Sequence, residues 1–338
     1  MKIQDIANLA GVSTATVSRV LNHPEKVNAE TREKVQRIFE QTNFVANAVA
    51  RGLVVSSMRT IGILANDITS LWIAKVVYTI ERRFTELGYN TILINTGLEA
   101  ENKKKCLRMI LERQVDGVIL VGSMYKEKYH NDHILQAATK VPVLIVNNHL
   151  NAKHIYSVVS DDGQGVRHAV AYLAGLGHRD IYFLLDSKHP SALAKLNGFQ
   201  QEMMARDLNP ANSLEVVCSM QGGGDGVRQL IEQGKKCTAV ICGEDITAVG
   251  AMKACLALNI RVPRDFSVIG YNNSLLAEAA TPALTSVDNH TGEVALAAAE
   301  RLYGVLQGQN VPKKMKFTPG LIIRESTGRA PLMNQPSP

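Results

Sequence analysis

The chain has 338 residues, enough for two or three domains, and its 46% hydrophobic and 20% charged residues are typical of a globular protein. No stretch is long and apolar enough to span a membrane and no apolar leader opens the chain, so we expect a cytoplasmic protein without membrane contact. Of the net charge of +6, residues 1–60 carry +3, from eight basic and five acidic residues, which suits a nucleic-acid partner.

Residues 3–21 carry two helical patterns on either side of Gly11-Val12-Ser13. At helical period, the inward-facing residues are Ile6, Ala7, Leu9 and Ala10 in the first helix and Val17, Val20 and Leu21 in the second. Gly11 suits the sharp corner, and Ser13 can cap the second helix by accepting a hydrogen bond from a backbone N–H. Two helices joined in this way predict a helix-turn-helix, whose second helix enters the DNA major groove. An ordinary pair of packed helices is the alternative.

The outward side of the second helix is small or polar, as a groove-reading face should be: Thr14, Ala15, Thr16, Ser18 and Arg19. A third helix is predicted at about residues 29–42, with Val35, Ile38 and Phe39 on its buried side. Residues 47–53, NAVARGL, then predict a brief helix with an apolar side. Either this helix folds against a second copy of the chain and inserts Leu53 into the minor groove, or the segment is a disordered linker.

From Thr60 onward, short apolar strand patterns alternate with amphipathic helix patterns. The predicted strands are 60–65, 91–95, 117–122, 141–147, 181–185, 238–243 and 266–270. The predicted helices between them include 73–87, 100–113, 163–175, 192–206 and 245–257. Continuous apolar strands between helices indicate parallel sheets covered on both faces, and so many strands predict two doubly wound lobes. A ligand is expected in the crevice at the carboxyl ends of the strands.

No pattern in the chain indicates catalysis, a cofactor or a metal site: GxSxG, HExxH and clustered metal ligands are all absent. The five cysteines form no CxxC pair, which indicates reduced thiols. The glycine run 222–226, GGGDG, lacks the ending of a phosphate-binding loop, and we expect a mobile loop at the mouth of the crevice. Lys103, Lys104 and Lys105 are expected to form a solvated helix face.

Taken together, these motifs resemble the LacI/GalR (lactose-repressor) family of bacterial transcription regulators over residues 2–329. The matching stretches are, in chain order, DIANLAGVSTATVSRVLN, VNAETREKV, NAVARGL, TIGIL, VDGVIL, DDGQG, GLGHRDI, DITAVGAM, RVPRDFSVIGYNN, TPALTSV and LIIRES. The resemblance implies a homodimer that binds a pseudo-palindromic double-stranded DNA operator. It also implies a core similar to periplasmic binding proteins, in which a small effector, a sugar or sugar derivative, binds between two lobes.

The resemblance also divides the chain into parts. These are a helix-turn-helix headpiece (1–45), a hinge helix and linker (46–58), an effector-binding and dimerisation core (59–329) and a tail (330–338). The first lobe of the core would comprise about 59–159 with 289–318, and the second about 160–288 with 319–329.

DNA-contacting positions follow from the same resemblance. In the headpiece they are Thr14, Ala15, Thr16, Ser18, Arg19 and Asn28. In the hinge helix they are Asn47, Ala50 and Leu53, with Leu53 as the intercalating residue. Ala46 replaces the proline that usually starts the hinge helix and Gly52 lies within it, which favours a hinge that folds only on DNA.

The effector-binding positions that the resemblance implies are Leu71, Trp72, Asn147, Lys195, Glu244 and Asn272. Trp72, the only tryptophan, would stack on the ligand or else belong to the core. Asn147 and Asn272 stand where aspartates are usual, and Lys195 stands where arginine is usual. Because asparagine carries no charge, the loss of two carboxylates near Lys195 favours a sugar acid or phosphosugar, although Glu244, where asparagine is common, works against an anion.

The sequence thus predicts an effector-controlled repressor of a carbohydrate-utilisation operon. The alternative is a cytosolic sugar-binding module or sugar-processing enzyme with an incidental helical N-terminal domain, which the lack of catalytic motifs disfavours.

Overall fold

A computed structural model describes residues 1–22, 24–42, 57–127 and 130–331. These residues form two compact units, a small N-terminal one and a large one that begins at Ile61. The small unit contains three helices, α1 (Ile3–Ala10), α2 (Thr14–Asn22) and α3 (Ala29–Gln41). Gly11 ends α1 in the left-handed region with a φ of 61°, and Ser13 Oγ accepts a hydrogen bond from Thr16 N at 3.1 Å at the start of α2. The predicted helix-turn-helix is confirmed.

These three helices enclose one apolar core. Its buried residues are Ile6, Ala7, Ala10, Val17, Val20 and Val35, with Leu21, Ile38 and Phe39 packed partly against it. The prediction that Leu9 faces this core is wrong, since 57% of its surface is exposed. The inward stripe of α1 passes through Ile6 and Ala10, and Leu9 lies to one side of it.

The large unit consists of two lobes, each built on its own sheet. The strands of the first lobe are β1 (Thr60–Ala65), β2 (Asn90–Asn95), β3 (Gly117–Val121), β4 (Val143–Val146), β5 (Ile155–Ser160) and β11 (Lys314–Phe317). They form a sheet in the order β11-β5-β4-β3-β1-β2, and the pairings from β11 through β1 are all parallel. The helices of this lobe are α4 (Leu71–Glu86), α5 (Ala100–Glu112), α6 (Asp132–Ala138) and α12 (Thr291–Leu306).

The second lobe repeats this arrangement. Its strands are β6 (Ile181–Leu185), β7 (Ser213–Glu215), β8 (Ala239–Cys242), β9 (Ser267–Tyr271), β10 (Thr285–Asp288) and β12 (Gly320–Ile322), in the order β12-β10-β9-β8-β6-β7. Its helices are α7 (Asp162–Gly175), α8 (Pro190–Ala205), α9 (Met220–Glu232), α10 (Asp245–Ala257) and α11 (Leu275–Ala279). Successive side chains of a strand point to opposite faces of the sheet. Phe183 packs with α7 and α8, whereas Leu184 packs with α9 and α10. Both faces are therefore covered.

The chain passes between the lobes three times. It crosses after Ser160, after Asp288 and after Phe317, so each lobe contains segments that are far apart in the sequence. The prediction of two doubly wound lobes is confirmed, and all seven predicted apolar strands are present. One departure from parallel order occurs at β12, which pairs antiparallel with β10.

The glycine run 222–226 is not a loop, and that prediction is wrong. It lies in α9, whose first turn is capped by Ser219 Oγ, the acceptor for Gly222 N at 2.9 Å. A Cβ atom on Gly223 would overlap the carbonyl oxygen of Thr247 in α10, and one on Gly250 would overlap that of Met220. Glycine is needed here because the two helix backbones touch.

The expectation of a solvated Lys103–Lys105 face is wrong for its first residue. Lys103 is 2% exposed, and its ammonium donates to Met124 O at 2.8 Å and pairs with Glu127. Lys105 is exposed, as expected. Lys103 therefore attaches the 3₁₀ turn Ser123–Tyr125, two residues of which line the cavity between the lobes, to α5.

Candidate functional site

The surface of α2 carries the residues predicted to read DNA. Thr14, Ala15 and Arg19 are exposed, and Thr16 and Ser18 are half-buried. The exposed residues lie opposite the buried Val17 and Val20, so the side of α2 away from the core is small, polar and basic. These side chains leave room for close approach to a duplex.

Asn28 is exposed but already has a structural role. Its Oδ1 accepts a hydrogen bond from Thr31 N at 2.8 Å and caps α3, and its amide N–H groups remain available to a phosphate or base. The predicted hinge-helix contacts Asn47, Ala50 and Leu53 lie outside the described residues.

A cavity lies between the lobes of the core at the carboxyl ends of the parallel strands. Five of the six predicted effector positions line it: Trp72, Asn147, Lys195, Glu244 and Asn272. The sixth, Leu71, is half exposed and lines a neighbouring groove together with Trp72 and Asn272. Further lining residues that the sequence did not single out include Asn66, Ser123, Asp162, His189, Ser191 and Asn289.

Lys195 is the buried cation of this cavity. It is 3% exposed, and its Nζ donates to Gly243 O at 2.7 Å and lies 3.5 Å from Glu244 Oε1. The same Nζ stands 3.8 Å from the centroid of the Tyr271 ring. A buried ammonium needs such partners, because desolvation without them is costly.

Three carboxyl groups surround this single ammonium. Burial raises the pKa of Asp162 and of Asp186, and it raises the pKa of Glu244 to about 7. Burial alone would lower the pKa of Lys195, but these three carboxylates raise it above its ordinary value. The ammonium of Lys195 is therefore already balanced by the carboxyl groups around it.

A chain of amide side chains continues from Glu244 toward the second crossing, which follows Asp288. Asn272 Nδ2 donates to Glu244 Oε2, and Asn289 Nδ2 donates to Asn272 Oδ1 at 2.8 Å. Thr291 Oγ1 in turn donates to Asn289 Oδ1 at 2.7 Å. The network runs from the second lobe through the crossing segment to the first turn of α12.

Asp162 is held from two sides. Tyr271 OH donates to its Oδ1 at 2.9 Å, and Asn147 Nδ2 reaches its Oδ2 at 3.3 Å. Asn147 belongs to the first lobe and Asp162 to the second, so this contact joins the two lobes at the floor of the cavity.

Two polar atoms of the first lobe remain unsatisfied in the cavity wall. Asn66 Oδ1 and Trp72 Nε1 are buried without a hydrogen-bond partner among the described residues. Trp72 is half-buried and also packs against the core of the first lobe, so it contributes to both core and cavity. An unpaired acceptor and an unpaired donor on residues that line one cavity suit the hydroxyl groups of a ligand.

Comparison with known proteins gives the family. Residues 2–47 match the model for bacterial regulatory proteins of the lacI family, and residues 170–327 match a periplasmic binding protein-like domain. A transcriptional regulator with a helix-turn-helix from Lachnoclostridium phytofermentans is 36% identical over 331 residues, which covers 97% of this chain and 99% of that protein. The chain belongs to the LacI family.

Other LacI-family relatives are similar over nearly their whole length. The transcriptional repressor PurR from Vibrio cholerae is 33% identical over 96% of this chain and 97% of its own. The ribose operon repressor from Haemophilus influenzae is 30% identical over 96% and 98%. Among solved structures, the Lac repressor dimer bound to operator and the anti-inducer ONPF has a TM-score of 0.87 at 26% identity and covers 97% of this chain and 99% of its own.

Membership in the LacI family makes this protein a DNA-binding transcriptional repressor with an effector-binding core, and its relatives are regulators rather than enzymes. No helix in the described residues has the length and apolar character needed to cross a bilayer.

One signal in the sequence could have identified the missed cavity residues. Asn66 directly follows β1, Asn289 directly follows β10, and Asp162 begins the helix after β5. Polar residues just after a buried parallel strand stand at the sheet edge where ligands bind.

Proposed function

We propose that this protein represses genes of carbohydrate use in the cytoplasm. In this proposal it binds a pseudo-palindromic operator as a homodimer, and a neutral sugar between the core lobes controls the binding. The organisation that we propose is a DNA-binding headpiece at 1–45, a hinge segment at 46–58 and a two-lobed core at 59–329. The ribose operon repressor among the relatives supports a sugar effector. The similar Lac repressor, which is described as a dimer bound to operator, supports a homodimer.

The observation that best supports a neutral sugar as the effector is the charge around Lys195. A sugar acid or phosphosugar needs a free cation, but this ammonium is already bound to Gly243 O and flanked by Glu244, Asp162 and Asp186. An anion entering the cavity would meet two lining carboxyl groups, Asp162 and Glu244, beside an ammonium that is already occupied. A neutral sugar instead offers hydroxyl groups that donate to the carboxylates and accept from the asparagine amides. This arrangement favours a neutral polyol over the anion expected from the sequence.

Calorimetric titration of full-length protein tests the effector. The ligands are neutral sugars, each matched with its own acid, for example galactose with galacturonate and glucose with glucuronate. We expect that the neutral member of a pair binds and that its charged counterpart binds more weakly. Tight binding of acids alone at this cavity would contradict the charge argument.

Selection from random duplexes by the full-length protein, followed by titration in increasing salt, tests DNA binding. We expect a symmetric site whose half-sites lie roughly one helical turn, about 10 bp, apart. Arg19→Ala should weaken binding to that site by about tenfold or more, because a charged hydrogen bond to DNA is lost. Arg261→Ala, which removes an exposed arginine of the core, is the control. Equal loss in both variants would argue against a DNA-contacting role for α2.

A further inference from the structure

A second groove, with a volume of about 580 Å³, lies beside the central cavity, where the chain crosses from β5 to α7. The first lobe supplies one wall, with Ser160 at the end of β5 and Lys314 and Lys316 on β11. The second lobe supplies the other wall, with Gln164 and Arg167 on α7 and Asn197 on α8. A ligand in this groove would therefore touch both lobes at once.

The groove is richer in basic groups than the central cavity: Lys314, Lys316 and Arg167 line it, against the acidic Asp161 and Asp162. Lys314 is exposed and has no acidic partner among the described residues, whereas Lys316 pairs with Asp161 at 2.5 Å. Arg167 pairs with Glu202 at 3.0 Å, but that carboxylate is shared with Arg206 at 2.9 Å. Burial and the positive charges of Lys314 and Lys126 lower the pKa of His149, which also lines the groove. The groove thus holds positive charge that internal ion pairs leave uncompensated.

Two further features favour an anion. Helix α8 begins at the groove with Pro190 and Ser191 and has no acidic residue in its first turn, so the positive end of its dipole is not neutralised there. Ser160 Oγ is buried and has no hydrogen-bond partner among the described residues. Ser160 lines the groove, and because a buried hydroxyl is rarely left unpaired, its hydroxyl is a candidate donor to a ligand there.

The groove adjoins the central cavity. Asn147 and Asp162 line both, and their side chains are in contact at 3.3 Å. The amide groups of Gln164, Asn197 and Gln201 add donors and acceptors on the outer side. These groups suit hydroxyls, whereas the lysines suit a phosphate.

We propose that this groove binds the phosphate group of a small phosphorylated polyol and that such a ligand acts as a second effector. Since it contacts both lobes beside a crossing point, it stabilises one arrangement of the lobes over others. The effect of this ligand on DNA binding rests on the proposed function, but the binding of the ligand in the groove does not. A protein that binds no ligand in the groove can therefore be distinguished from one that binds the ligand but does not repress.

Calorimetric titration of full-length protein with inorganic phosphate, glucose 6-phosphate and glucose tests this proposal. We expect that glucose 6-phosphate binds and that phosphate alone binds more weakly at the same site. Lys314→Ala should weaken glucose 6-phosphate binding by about tenfold, the loss of one charged hydrogen bond. Lys313→Ala removes the same charge one residue away, outside the groove lining, and should leave the affinity unchanged.

Ser160→Ala gives a second test. It should weaken binding without lowering the thermal stability of the free protein, because it removes a hydroxyl that has no partner there. Glucose 6-phosphate affinity that is equal in Lys314→Ala and Lys313→Ala would overturn the proposal. The proposal would also be overturned if glucose 6-phosphate did not bind at millimolar concentration.

Discussion

Replacing Glu244 by glutamine should remove a large, pH-dependent contribution to the free energy of unfolding. Burial raises the pKa of this carboxyl from 4.5 to about 7, and the charge of Lys195 only partly opposes that change. A carboxyl with a raised pKa binds its proton more tightly in the folded chain than in the unfolded chain. Its contribution to stability is therefore complete below the unfolded pKa and is lost as the pH rises through the folded pKa.

The size of the effect follows from the difference in pKa. At about 1.4 kcal/mol per unit, the shift corresponds to about 3 kcal/mol, of which about 2–3 kcal/mol is lost between about pH 5 and pH 8. His189 acts in the opposite direction, because burial and the charge of Lys195 lower its pKa to about 4. Its contribution grows as the pH rises, but it is present in both proteins and cancels when the wild type is subtracted from Glu244→Gln.

Urea unfolding of both proteins, followed by the fluorescence of Trp72, measures this difference. The free energy of unfolding of Glu244→Gln relative to wild type should increase by about 2–3 kcal/mol from about pH 5 to pH 8. The exposed Glu232→Gln serves as the control and should follow the wild type at every pH. If the free energies of unfolding of Glu244→Gln and wild type changed in parallel with pH, the reasoning that the fold raises the pKa of Glu244 would be refuted.

Two further substitutions test the packing in each lobe by urea unfolding. Gly223→Ala should lower the free energy of unfolding by at least about 2 kcal/mol, because its Cβ meets Thr247 O, whereas Gly175→Ala, a helical glycine with open space around it, should not destabilise. Lys103→Met should cost about 2–3 kcal/mol, because it leaves a partly buried carboxylate without its cation. Lys105→Met, two residues along the same helix, should change stability by less than about 0.5 kcal/mol. Equal effects of Gly223→Ala and Gly175→Ala would contradict the close helix contact at Gly223. Equal effects of Lys103→Met and Lys105→Met would contradict the buried ion pair of Lys103.

The strands that the sequence predicted are those with long apolar runs. TIGILA and GVILV are buried along nearly their whole length, so composition alone identifies them. Strand β11, KMKF, is an edge strand with three exposed residues, and β7 and β12 have three residues each. Edge strands this short bury too little to require an apolar pattern, and only their pairing with a neighbour defines them.

The cavity was predictable in part, for a different reason. Resemblance to the LacI family located Trp72, Lys195 and Asn272, but it could not give the charge balance around them. That balance depends on Asp162 and Asp186, which follow two different strands and come together only when the second lobe folds. The burial of Lys103 could not be predicted from the sequence either. The residues that contact its ammonium, Met124 and Glu127, lie more than twenty residues further along the chain.

The threefold crossing between lobes has a consequence for synthesis on the ribosome. Helix α12 supplies Val294, Ala295 and Leu302 to the core of the first lobe, and β11 and β12 complete both sheets only near residue 322. Helices α1–α3 emerge first and need none of these segments to close their own small core. A nascent or prematurely terminated chain can therefore present a finished helix-turn-helix before any sensor exists to govern it, and translation must pass β12 before the regulator can respond to a metabolite.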